Sequence, residues 1–222
     1  MTDQIARDAA TRGLTRAAEL LTNAPWRRIA VLGDSAAAGI REVVDGFPDK
    51  SWCDWIVECL SLVQPELVAH NFGRKGALTR DVRTEQLAPA LAFRPDLAVV
   101  LCGGNDLLRG SLSGVAEEYD AIVGELREYG ATVVTMSLFD ISRTALVPER
   151  FARSLKQGLD RLAATVREVA ERHGCVHLDF GAHPSSAEAS VYAADLHHLT
   201  TRGQAVVAAE LVCRLAVVVP LR

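Results

Sequence analysis

Five short apolar runs, at residues 28–32, 67–71, 97–102, 132–136 and 175–179, constrain the fold of this chain more than any other feature. Each is rich in Val, Leu, Ile or Ala, each is bounded by polar or turn residues, and none alternates cleanly. Runs of this length without alternation suit strands buried on both faces, as in a parallel sheet. The stretches between them read as helices. Residues 51–62 carry Trp52, Trp55, Ile56 and Cys59 on one stripe, and residues 114–129 and 149–173 show similar periods with Arg, Glu and Asp opposite. His173-Gly174 closes the longest of these with a basic residue and a glycine. A last helix is expected from 201 to about 215. Strand and helix therefore alternate about five times, which predicts an α/β protein, a three-layer α/β/α sandwich on a five-stranded parallel sheet with right-handed crossovers. Ligands of such sheets sit outside the C-terminal ends of the strands.

A chain of 222 residues commonly folds as one domain. We expect residues 1–24 to form an amphipathic helical extension ahead of a domain spanning 25–222. With 49% hydrophobic and 23% charged residues, the chain has the balance of a globular protein rather than a disordered one. Its net charge of −4 lacks the basic footprint of a nucleic-acid binder, and Arg27-Arg28 and Arg74-Lys75 are too short to change that. No window approaches 18 uninterrupted apolar residues, so no stable membrane insertion is expected. The five cysteines form no CxxC pair and read as free thiols, with Cys102 and Cys175 in apolar runs. Free thiols and the missing apolar core of a signal peptide point to a cytoplasmic protein.

The chemistry gathers where the runs end. The first leads into Gly33-Asp34-Ser35. A serine at a tight strand-to-helix turn projects its hydroxyl from the sheet edge, and the helix expected after it offers N–H groups and a positive end to an oxyanion. The same serine also suits a helix N-cap. The second run ends at Asn71, followed by Phe72-Gly73-Arg74-Lys75-Gly76, where glycine lets a backbone N–H approach a substrate or simply makes a turn. The third is followed by Gly103-Gly104-Asn105-Asp106, whose Asn amide can donate to an oxyanion, although these are also turn formers. Asp195-Leu196-His197-His198 lies just before the last helix. An imidazole activates a serine hydroxyl near neutral pH, a carboxylate fixes its tautomer, and a spacing of three lets the two meet across one turn. Each block is weak alone; three polar, glycine-bearing loops converging on one sheet edge are not.

Taken in order, GDS with Gly39 four residues on, Asn-x-x-x-x-Gly, GGND and DxxH resemble the four sequence blocks of the SGNH (GDSL-type) hydrolase family, over residues 26 to about 215. The resemblance implies a flavodoxin-like sandwich and a serine hydrolase that cleaves a small-molecule carboxylic ester or thioester through an acyl-serine intermediate, with no cofactor and no metal. By position, Ser35 matches the nucleophile, Asp195 the acid and His198 the base. Ser35, Gly76 and Asn105 match the oxyanion donors. Gly73 is a second candidate beside Gly76, and His197 is expected to face solvent or to help shape the pocket. Asp34 and Asp106 are expected to brace their loops, Asp179 and Ser137 to be structural, and His70, His173, His177 and His183 to be structural or exposed. The segment 140–150 is expected to form a mobile wall of the pocket. An acyltransferase would use the same triad, and a non-catalytic binding module the same fold. A flavodoxin-like phosphate binder would need a glycine-rich loop that GDSAAAG does not provide.

Overall fold

The computed structural model describes residues 13–219. The chain divides into two compact units, one comprising Arg28–Ala38 with His70–Ala189, the other the stretch up to Arg27, Gly39–Ala69 and the stretch from Ser190.

The sheet supplies the core of the first unit. Its strands are β1 (Arg28–Gly33), β2 (Val68–Asn71), β3 (Leu97–Leu101), β4 (Thr132–Met136) and β5 (Val176–Leu178), in the spatial order β2-β1-β3-β4-β5. Ile29 to Gly33 lie in parallel register with Leu97 to Leu101, Leu97 to Val100 with Thr132 to Thr135, and Val134 to Met136 with Val176 to Leu178. Chain order reverses between β1 and β3, the switch point at which doubly wound sheets open a crevice.

Burial on both faces holds for β3, for β1 after Arg28, and for β4 after Thr132, but not for β2, whose four residues are all exposed. An edge strand has a neighbour on one side only, so VAHN carries less apolar surface to cover. The longer helices of this unit include α3 (Leu87–Phe93), α5 (Val115–Glu128) and α6 (Glu149–Arg172), with the one-turn α4 (Gly104–Leu108) after β3. On α6 the stripe Leu162, Val166 and Val169 enters the same core cluster as Ile122 and Leu126 of α5. Each such side chain contributes about 1.5–3 kcal/mol on burial. The Tyr119 hydroxyl donates to Val100 O within that core. The α6 helix ends as its sequence predicts. Gly174 adopts φ +60°, Cys175 N–H donates to Ala170 O and Gly174 N–H to Glu171 O, the paired bonds of a Schellman motif.

The other unit holds α1 (Gly13–Glu19), α2 (Trp52–Val63) and α7 (Thr201–Val218). Of the predicted 1–24 helix, residues 1–12 lie outside the described residues. Ser51 caps α2 through a capping box with Asp54, and Trp52 N–H donates to Gln204 Oε1 of α7. Arg41–Glu42 and Leu199–Thr200 form a two-residue parallel pair. None of the five cysteines is in a disulfide, and among the described residues no helix is long and apolar enough to cross a membrane.

Candidate active site

The exit from β1 is built for glycine. Gly33 has φ +146°, and a Cβ there would lie 1.9 Å from Leu101 O, so no side chain fits. Its backbone is held on both sides by one buried amide: Gly33 N–H donates to Gln86 Oε1 (2.8 Å) and Gln86 Nε2 donates to Gly33 O (2.9 Å). Arg74 N–H reaches the same carbonyl. Asp34 is buried, and its carboxylate accepts the Ala36 N–H at 2.9 Å, while Ala38 N–H donates to Asp34 O to close the turn that carries Ser35. The helix expected after Ser35 does not form. Residues 34–39 make turns only, the Ala37 carbonyl is taken by the Asn71 amide, and Gly39 takes φ +71°, which a right-handed helix cannot hold. Individual N–H groups, not a helix dipole, are therefore what this loop offers an anion.

The second loop is bound to the first. Asn71 Nδ2 donates to Ala37 O at 2.8 Å, and Gly73 N–H donates back to Asn71 Oδ1. The two glycines differ in kind. A Cβ on Gly73 would stand 2.6 Å from Ala38 N, so Gly73 serves close packing of the loops. Gly76 has φ +79° with open space around its Cβ position. The third loop joins the second: Asn105 Nδ2 donates to Ala77 O at 3.0 Å, and Asp106 Oδ2 accepts both the N–H and the hydroxyl of Thr79. Gly104 lies beside the Asp34 carboxylate. Ser35 and Gly76 thus stand on loops after β1 and β2, and Asn105 in the first turn of α4 after β3, tied into one hydrogen-bonded assembly.

Gln86 and Thr79 were not identified by sequence reasoning. Both act on residues tens of positions away, and neither carries a local motif. Gln86 lies in a π-type segment, Val82–Gln86, that runs into α3, where Leu87 N–H reaches back five residues to Val82 O. Gln86→Leu should leave the Gly33 N–H unpaired, its carbonyl keeping the Arg74 N–H, and lower stability by about 1–3 kcal/mol in urea unfolding.

In the other unit, Asp195 to His198 form a self-contained dyad. Asp195 Oδ1 accepts the N–H groups of His197 and His198 at 3.0 Å each, and Oδ2 lies 2.6 Å from His198 Nδ1. Leu196 is held at φ +60°, a conformation that costs a non-glycine residue about 1 kcal/mol or more. Ala193 N–H donates to His198 O, and Ala194 N–H donates to the Glu42 carboxylate at 2.6 Å. His197 is exposed, as expected, whereas the His198 side chain is only 12% exposed. Partial burial by itself would raise the Asp195 pKa, but the His198 imidazole and the two backbone N–H groups outweigh it and hold the carboxyl well below the usual carboxylate range. An ionised carboxylate only accepts, so Nδ1 carries the proton and Nε2 of the neutral ring is the free acceptor.

A depressed folded-state pKa gives stability that is fully present above about pH 4 and is lost as pH falls through the folded value. Unfolding measured from pH 6 down to pH 2 should show the difference between the native chain and Asp195→Asn shrinking toward the acid end.

The remaining candidates are structural. The Ser137 hydroxyl donates to Asp179 Oδ1, which also accepts Ala182 N–H. His173 Nε2 pairs with Asp120, His177 Nδ1 lies 2.9 Å from Thr135 Oγ1, His183 Nδ1 accepts Ser185 N–H, and His70 packs on Phe72. The segment expected to be a mobile wall is tied down at its start: Asp140 is buried, caps the 3-10 turn Ile141–Arg143, and accepts from both the N–H and hydroxyl of Ser142.

The model of the GDSL-like Lipase/Acylhydrolase family matches residues 31–206. No curated protein matches the sequence. Among solved structures, an acetylxylan esterase from Geobacillus stearothermophilus, studied as a catalytic mutant, is 19% identical with a TM-score of 0.68, over 85% of this chain and 94% of that one. A lipase/acylhydrolase from Enterococcus faecalis is 21% identical with a TM-score of 0.65, over 88% and 98%. The psychrotrophic esterase EstA from Pseudoalteromonas sp. is 16% identical with a TM-score of 0.62, over 83% and 94%. At these identities the likeness establishes a shared fold.

Proposed function

This chain belongs to the GDSL-like lipase/acylhydrolase family and is an ester-hydrolysing enzyme, and from that premise we propose that it cleaves carboxylic esters or thioesters through an acyl-serine intermediate on Ser35. The observation that carries this reading is the Asp195–His198 hydrogen bond of 2.6 Å, which leaves Nε2 as the acceptor a serine hydroxyl needs. His198 Nε2 takes the proton as Ser35 Oγ attacks the acyl carbonyl. The N–H groups of Ser35 and Gly76 and the Asn105 amide hold the oxyanion. His198 then protonates the leaving alcohol or thiol, and water activated by the same imidazole releases the acid.

Two facts favour these donors over their neighbours. Gly73 is consumed by packing against Ala38, whereas Gly76 has open space around it. Asn105 uses one Nδ2 hydrogen on Ala77 O and has a second to give. The catalytic domain is taken as residues 25–222, with 1–24 as an extension.

The test is covalent. Monoethylphosphonate inhibits the Pseudoalteromonas esterase. A reactive phosphonate ester incubated with this protein should add one phosphonyl group by intact mass, and peptide mapping should find it on Ser35. Labelling elsewhere, with Ser35 unmodified in an active preparation, would reject the assignment. Rates on p-nitrophenyl acetate, butyrate, octanoate and palmitate would define the acyl chain.

A further inference from the structure

The turn that carries Asp195 and His198 is held in part from outside itself. Residues 194–197 are all exposed, so burial contributes little to fixing them, and Leu196 sits at φ +60°. A strained backbone of that kind persists only where its surroundings over-determine it. The bonds within the turn close on themselves: Ala193 N–H donates to His198 O, Leu196 N–H to Ala193 O, and Asp195 Oδ1 accepts from the N–H groups of His197 and His198. Ala194 N–H points elsewhere. It donates to Glu42 Oε2 at 2.6 Å, across 152 positions of sequence.

Glu42 makes this bond from a braced backbone. Arg41 and Glu42 pair in parallel register with Leu199 and Thr200. Before them, Ile40 O accepts from Gln204 Nε2 at 3.4 Å; after them, Val44 N–H donates to Thr201 Oγ1 at 3.1 Å. Gln204 and Thr201 are both buried on α7, and Gln204 Oε1 is fixed in turn by Trp52 N–H. The neighbouring Arg41 guanidinium is engaged by Asp49 and Gly39 O, which leaves the Glu42 carboxylate to Ala194. The dyad loop rests on the same helix. Thr200 Oγ1 donates to Ser190 O at 2.8 Å, and a Cβ on Gly203 would lie 2.5 Å from Val191 O. The feet of the loop are thus set on α7, and its exposed crest is tied to Glu42.

We propose that Glu42 is a positioning residue for ester hydrolysis: by holding Ala194 N–H, it fixes the turn that presents the His198 imidazole. It acts through the dyad and not on the substrate. The inference rests on the base role given to His198 above and adds the residue that keeps that base in place. Reach matters here more than charge, because any oxygen acceptor at the same distance can take the N–H. A misplacement of about 1 Å in a reacting group can cost about 10²-fold in rate.

The test is single-turnover acylation by p-nitrophenyl acetate, with circular dichroism and urea unfolding on each variant. Glu42→Ala should fold and lower the acylation rate constant by about 10–100-fold, with apparent substrate affinity changed by less than about twofold. Glu42→Gln, whose side-chain carbonyl accepts the same N–H, should recover most of the lost rate. Glu42→Asp keeps the charge one methylene short of Ala194 and should behave like Glu42→Ala. In a His198→Ala background, Glu42→Ala should cost nothing further, because a turn without its imidazole has nothing left to position. A native rate in Glu42→Ala, a Gln variant no faster than the Asp and Ala variants, or a full second loss on top of His198→Ala would overturn the positioning role. Near-native acylation by His198→Ala would instead bring down the base assignment, and the role of Glu42 with it.

Discussion

Under the proposed mechanism Ser35→Ala should lower ester hydrolysis by about 10⁴–10⁶-fold with the fold intact, because the proposed oxyanion donors survive while the nucleophile is gone. The substitution is small and its surroundings tolerate it. Ser35 is half-buried on a turn closed by backbone bonds, Ala38 N–H to Asp34 O, with the Asp34 carboxylate on Ala36 N–H, and none of these uses the serine hydroxyl. Circular dichroism and urea unfolding should therefore overlay those of the native protein. Steady-state rates on p-nitrophenyl acetate, with single-turnover acylation at high enzyme concentration, give the comparison. Near-native turnover in the folded variant would remove Ser35 from the mechanism.

His198→Ala should cost nearly as much, and the double variant with Ser35→Ala should be no slower than either single one. Residues that act in a single step lose their effect together, so strong non-additivity is the signature of a nucleophile and its base. Multiplication of the two losses would show that they act in separate steps. Asp195 enters through the imidazole: its carboxylate sets the ring tautomer, so Asp195→Asn should leave His198 present with the wrong nitrogen protonated and reduce kcat by about 10⁴-fold.

The Asp195–His198 dyad was legible in the sequence because it is local. Three residues and one turn bring the groups together, and the bonds to the N–H groups of His197 and His198 are part of the same turn. The strands were legible for a different reason. Interior strands must be apolar on both faces, so 28–32, 97–102 and 132–136 announce themselves, and the helices between them follow from periodicity and caps such as Ser51 and Gly174. The same rule misled at β2, where an apolar run with the same look forms an exposed edge. Nothing in a single strand's composition records how many neighbours it has.

After Ser35 the local signal and the tertiary one disagree. Ala36-Ala37-Ala38 has high helix propensity, and a strand followed by such residues reads as a strand-to-helix turn. The folded chain instead gives the Ala37 carbonyl to Asn71 and turns at Gly39. The order of strands and helices, the four motif blocks and the local dyad were thus determined by the sequence alone, since period, capping and short-range hydrogen bonding operate within a few residues. Only the tertiary structure decided how the loops are locked: Gln86 on Gly33, Asn71 on Ala37 and Asn105 on Ala77. Those contacts join residues 28 to 53 positions apart, or different elements altogether, and a hydrogen bond across such a gap exists only once the sheet has brought its two ends together.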